Sequence, residues 1–213
     1  MILALPARSR LVAVAAFVLL GVWAASAGAG EPTVEARAQV QAMWRHVVPI
    51  LASKGLPAAA REEKFRAVYR AHFDNAAIAA AVAGTAWNRA TPAQRERFLR
   101  VFEDYVIKVY AGQFGSYNGE RLQVRASEPD GQGAIVTTNV VEAQGEGGRT
   151  LELKWRLRPG ADGLKIRDVL VQNISMTLQQ RREFLSVLRQ RGGSLDGLTE
   201  ALGEKMAQLA KKN

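Results

Sequence analysis

Few side chains in this protein could do acid–base or metal chemistry, and they are scattered. The two histidines, His46 and His72, each stand alone in their sequence neighbourhood. Neither has the HExxH-type spacing that sets two imidazoles on one helix face. The chain has no cysteine, which removes disulfides, thiolate metal sites and a cysteine nucleophile. No GxSxG elbow is present, and GSYNG at 115–119 lacks the strand-then-helix context of a phosphate loop. Glu103 and Asp104 are adjacent carboxylates, but neighbours along a helix do not face each other. They read as a solvated helix edge. Asp168 differs, because strand alternation places it with Leu164, Ile166 and Leu170. A carboxylate among apolar neighbours needs a partner. A catalytic acid with a raised pKa is one reading. A structural pairing with Arg181 or Arg182 is simpler, and the sequence favours it. No catalytic constellation is complete, so the expectation is a non-enzyme with no cofactor and no metal.

The elements that must position these residues come in two kinds. In the first half apolar residues recur at helical spacing. The pattern predicts a helix over 33–54 carrying Val40, Met43, Trp44, Val47 and Val48, ended or kinked by Pro49. Pro57 opens a second helix through Tyr69, and Asp74 caps a third that stops near Gly84. Thr91-Pro92-Ala93-Gln94 is a capping box with proline at the first helical position. The long helix that follows sets Phe98, Val101, Phe102, Tyr105, Val109 and Tyr110 on one broad face, and Gly112 and Gly115 fray its end.

After residue 120 the period changes from 3.6 to 2. Four strands are expected, at 121–127, 134–143, 149–158 and 164–172, joined by the glycine-rich turns PDGQG, QGEGG and PGADG. In the third, Leu151, Leu153, Trp155 and Leu157 face one way and Glu152, Lys154, Arg156 and Arg158 the other. A sheet with one wet face is typically antiparallel. A turn at 172–175 then leads into helices over 177–191 and 195–211. The first of these opens with a capping box at Thr177 and Gln180, and Ile174, Met176 and Leu178 line one end of the space between sheet and helices. The expected class is α+β: helices, a curled four-stranded antiparallel sheet, and helices again, with the helices covering the apolar sheet face.

Residues 1–29 are set apart. Arg8 and Arg10 precede a short apolar run at 11–24 and the small residues ASAGAG. That is the pattern of a secretory signal peptide cleaved near Ala27 or Ala29, which leaves 30–213 as a single exported domain. The net charge is +9, or +7 without Arg8 and Arg10. A basic exported protein suits an anionic membrane surface ahead of nucleic acid, since its cations are dispersed rather than massed in one arm.

Two segments carry a family resemblance. One is 73–114, with Phe73-Asp74, Gly84 before Trp87, Thr91/Gln94/Arg95 and Phe98/Phe102. The other is 168–184, with Asp168-Val169, Ile174-Ser175, and Arg181 with Phe184. Together they resemble the MlaC (toluene-tolerance) family of periplasmic phospholipid-transfer proteins. Asn173 stands where the family usually has glycine, and Arg167 where it has an aromatic. The wording ISMTLQQRREF followed by a glycine pair looks closer to the hopanoid-associated, HpnM-like branch. The resemblance implies a cystatin- or nuclear-transport-factor-like sheet whose helices enclose an apolar cavity for acyl chains. The cargo is then phospholipid or hopanoid, passed between an inner-membrane lipid-transport complex and an outer-membrane partner. It implies a pocket in which Val136, Val140, Leu153, Trp155 and Ile166 face Phe98, Phe102, Tyr105 and Val109, with Ile174 and Met176 at one end. On periodicity alone the same residues fill a solid core. An exported, non-catalytic adaptor of a membrane complex is the alternative built on that packing.

Overall fold

A computed structural model describes residues 32–112, 117–142 and 150–211. The expected signal peptide, Gly115 and the 144–148 turn lie outside the described residues.

Five helices come first: α1 (Pro32–Ala52), α2 (Ala58–His72), α3 (Asn75–Ala83), α4 (Thr85–Arg89) and α5 (Pro92–Ala111). The strands are β1 (Arg121–Asp130), β2 (Gly133–Val141), β3 (Thr150–Gly160), β4 (Gly163–Val171) and β5 (Ile174–Ser175), and α6 (Met176–Gln190) and α7 (Leu195–Ala210) close the chain. Pro49 lies inside α1 and does not end it. The ring forgoes one backbone hydrogen bond, but Val47 and Ile50 on either side are buried and hold the last turn in place. The capping box is complete in both directions, with Thr91 Oγ1 accepting from Gln94 N and Gln94 Oε1 accepting from Thr91 N.

The strands form an open antiparallel sheet in the order β1-β2-β3-β4-β5. Among the described residues there are five strands, not the four expected. Gln172 and Asn173 both take positive φ, 49° and 66°, which is the two-residue turn that matches strand twist. Ile174 and Ser175 therefore fold back on Val171 and Leu170 as β5. Asparagine tolerates this left-handed conformation better than most side chains. The register steps between Val124 and Ala126 in β1, and again in β4 around Arg167. Such bulges bend and twist a strand, and here they curl the sheet around α1, which packs on β1, β2 and β4.

Most of the buried apolar residues fall into two clusters. One holds Val40, Met43, Val47, Val136, Trp155, Leu157, Leu164 and Ile166, between α1 and the sheet. The other holds Val82, Phe98, Phe102, Phe184, Leu188, Leu198 and Leu202, among α3, α5, α6 and α7. The segment between α2 and α3 stitches them together. Asp74 N donates to Ile166 O at 3.0 Å. The Asp74 carboxylate caps α3 through Ala77 N and takes Arg167 Nε at 2.9 Å.

Gly84 ends α3 and begins α4 at φ 58°, ψ −126°. A Cβ there would meet the Arg181 guanidinium at 2.8 Å. Gly84→Ala combines a conformation reserved for glycine with displacement of the Arg181 contact that docks α6 on α3. It is expected to cost about 1–3 kcal/mol in denaturant melts, with a larger loss than at the unencumbered Gly203.

Candidate functional site

The two clusters do not meet. Between them lies a cavity of about 480 Å³, within the range of roughly 300–1,000 Å³ typical of small-molecule sites. Voids in a packed interior rarely exceed a water molecule, so the space is not slack in a solid core. The solid core that the adaptor alternative requires is not what the structure shows.

Each wall has a separate origin in the sequence. α1 presents Met43, Trp44, Val47 and Leu51, and α2 with its following residue presents Phe65, Tyr69 and Phe73. Helical spacing reaches these residues, but it cannot distinguish a wall from a core, because both want the same side chains. α5 supplies Phe102, Tyr105, Val106 and Tyr110 opposite Leu153 and Trp155 of β3. The Trp155 indole is fixed by a hydrogen bond to Thr138 Oγ1 at 2.9 Å, which satisfies two buried polar groups at once.

Of the residues expected to line a pocket, Phe102, Tyr105, Leu153, Trp155 and Met176 do so. Phe98, Val136 and Ile166 do not, and each has no exposed surface. Phe98 is sandwiched by Phe102 and Trp87, at ring-centroid distances of 5.7 and 6.4 Å, while Val136 and Ile166 belong to the α1–sheet core. Val109 and Val140 are half-buried and outside the lining. Ile174 is 52 % exposed, because β5 sits at the sheet edge.

Val169 and Val171, which no pattern marked, line the cavity. Simple alternation puts Asp168 and Leu170 on the face of Leu164 and Ile166. The bulge at Arg167 breaks that phase, so Asp168 pairs across with Arg156 and Leu170 with Lys154, while Val169 and Val171 oppose Trp155 and Leu153.

Asp168 does not pair with Arg181 or Arg182. Its Oδ2 accepts from Ser175 Oγ at 2.6 Å, its Oδ1 accepts from Thr177 N at 3.1 Å, and Arg156 Nη1 stands 3.6 Å away. The carboxylate thus staples the first turn of α6 to β4. The cap of α6 is Ser175, whose Oγ accepts from Leu178 N, so the cap sits two residues before the expected Thr177 and the box with Gln180 does not form. Arg181 lies too far along α6 to reach Asp168 and donates to Ala81 O at 3.0 Å. Arg182 is exposed.

Glu103 is no solvated edge either. Burial would push its carboxyl up, but hydrogen bonds from Arg70 and Arg66 outweigh that and hold it below the usual carboxylate range. Arg66 also reaches Asp104 at 2.8 Å, and Lys108 meets Glu62 at 2.9 Å. These pairs tie α2 to α5 on the outside of the cavity.

The histidines are not solitary. His46 Nδ1 and His72 Nε2 are 2.9 Å apart, joining α1 to α2. His72 is 4 % exposed and its Nδ1 lacks a partner. Burial, with help from His46 and Lys165, pushes its pKa down to about 4. Among the described residues no group of three or more metal-competent side chains occurs.

The family model for the MlaC protein matches residues 41–204. The chain is 22 % identical over 129 residues to the intermembrane phospholipid transport system binding protein MlaC of Haemophilus influenzae, covering 60 % of this chain and 59 % of that one. It is 26 % identical over 121 residues to the toluene tolerance protein ttg2D of Pseudomonas putida, covering 56 % and 55 %. The matches thus span less than two thirds of either relative. Among solved structures, a phospholipid-binding protein from Ralstonia solanacearum in complex with a phospholipid superposes with a TM-score of 0.67 at 22 % identity, covering 83 % of this chain and 99 % of that one. At that identity the likeness establishes a shared fold.

The histidine pair makes stability depend on pH. The unfolded chain takes up a proton at His72 near its ordinary value of 6.5, whereas the folded chain resists until about 4. Stability is therefore full above about 6.5 and falls as pH drops toward 4. Thermal melts across that window should show the loss, and His72→Gln should flatten it.

Proposed function

The chain belongs to the MlaC family, and from that premise we propose that it is a periplasmic lipid carrier that holds acyl chains in the cavity between its two cores. The observation that carries this reading is the wall itself. Aromatic and aliphatic side chains from α1, α2, α5, β3 and β4 converge on one space, and Asp168, Thr177 and Gln180 supply its polar border near the start of α6. The names of the relatives, one for intermembrane phospholipid transport and one solved with a phospholipid, favour phospholipid as cargo. Hopanoid is the alternative that lipid analysis separates.

The chemistry is transfer rather than catalysis. A chain of about 15 methylenes gains roughly 12 kcal/mol on leaving water. A bilayer offers nearly the same, so a dry apolar pocket exchanges lipid with a membrane at little net free energy. Nothing in that exchange sets a direction. The inner-membrane transport complex and the outer-membrane partner do so, with residues 30–213 acting as the shuttling domain once the signal peptide has been removed. The positive charge draws the carrier to anionic bilayers.

Protein purified from the periplasm and extracted with organic solvent should yield phospholipid. Repeated absence of lipid, with no uptake of labelled phospholipid, would overturn the reading. Val169→Trp fills part of the cavity. It should cut lipid uptake by tenfold or more while leaving the melting temperature nearly unchanged. In a solid core the same substitution would cost about 1–3 kcal/mol. Transfer between anionic vesicles should slow as salt rises, because surface attraction is screened within about 8–10 Å. Transfer indifferent to both salt and anionic lipid would remove the membrane step.

A further inference from the structure

A second groove, also of about 480 Å³, runs between α6 and α7. It shares two lining residues with the apolar cavity, Tyr105 of α5 and Gln180 of α6. Gln180, which faces both spaces, donates through Nε2 to Glu183 Oε2 at 3.1 Å. On one side of this pair the surroundings are the apolar side chains already described. On the other they include Glu183, Arg191, Glu204 and Lys205. The change from apolar to charged takes place across two side chains.

An amphiphile whose tails lie in the cavity must put its head where the apolar lining ends, because burying an ionised group away from partners is costly. Rested on the carrier reading, we propose that the α6–α7 groove seats the polar head of the bound lipid and that its charges select a zwitterionic phosphoethanolamine head over an anionic one. Arg191 is already committed, donating to Glu204 at 3.1 Å. Lys205 of α7 and Glu183 of α6 enter no ion pair among the described residues, and both are exposed. They offer one cation for a phosphodiester and one carboxylate for an ammonium. A phosphoglycerol head brings its negative charge to the same place with no ammonium to answer Glu183. Discrimination thus comes from a repulsive group as well as an attractive one. The Glu183 carboxylate lies close enough to Tyr105 and Tyr110 to push both phenols up, adding to the effect of their burial. Its hydrogen bond from Gln180, a residue that lines both spaces, sets it at the border between them.

The test uses the full mature chain, stripped of lipid and equilibrated with vesicles of phosphatidylethanolamine and phosphatidylglycerol in equal amounts, then repurified and extracted. Pairs of exposed charges are worth about 0.2–1 kcal/mol. The bound fraction should therefore be enriched in phosphatidylethanolamine by about 1.4- to fivefold, and Glu183→Lys should abolish or invert the enrichment. Lys205→Glu, equally exposed, should weaken retention of both lipids, with melting curves confirming that each variant folds. Free glycerophosphoethanolamine at millimolar concentration should show no saturable binding, since the head lacks its tails. Saturable binding would mark a site for free phosphodiesters and overturn the proposal. Phospholipid bound at the bulk ratio in wild type and both variants overturns this inference and leaves the carrier reading standing. No bound phospholipid in any variant overturns both.

Discussion

An apolar space of this size opposes the force that folds the rest of the chain. Across an apolar space of about 480 Å³ the lining side chains forfeit the contacts that close packing would give them. Water gains little against such walls. Hydrophobic attraction alone would draw the sheet onto α5 and close the gap. The structure is organised around preventing that closure, which leaves an apolar space between two walls.

Directional contacts at the perimeter resist it. Arg66 and Arg70 grip Glu103, and Lys108 grips Glu62, which fixes the spacing of α2 and α5 from the solvent side. Asp168 holds the first turn of α6 to β4 through Ser175 and Thr177. Asp74 joins the start of α3 to β4 through Arg167. Each is a charge-assisted contact with a preferred distance, unlike the apolar attraction it works against. Two cores, each closed on itself, are thereby held as facing walls.

Much of this architecture was legible in the sequence. Asp74, Thr91 and Gln94 marked helix starts because capping chemistry is local. The period-2 runs marked the sheet for the same reason. The cavity was legible only in part. Phe102 and Trp155 showed their apolar faces, but nothing in periodicity says whether such a face meets another side chain or an open space. Phe98 is solid core one turn before Phe102, on the same face of the same helix. Partners across the fold were hidden as well. His46 and His72 are 26 residues apart in sequence, and their contact depends on how α1 lies on α2. Asp168 was recognised as needing a partner, yet its partners proved to be a hydroxyl, a backbone amide and Arg156 across the sheet rather than Arg181 or Arg182.

The bulge in β4 divides one strand between two duties. Before Arg167, Leu164 and Ile166 belong to the close-packed interior. After it, Val169 and Val171 face the open space. The extra residue thus works as a phase break that uncouples the two halves. Substitutions at Val169 and Val171 can remodel the cavity wall while Leu164 and Ile166 go on holding the α1–sheet core together. A lineage could in this way reshape that space without rebuilding what it stands on.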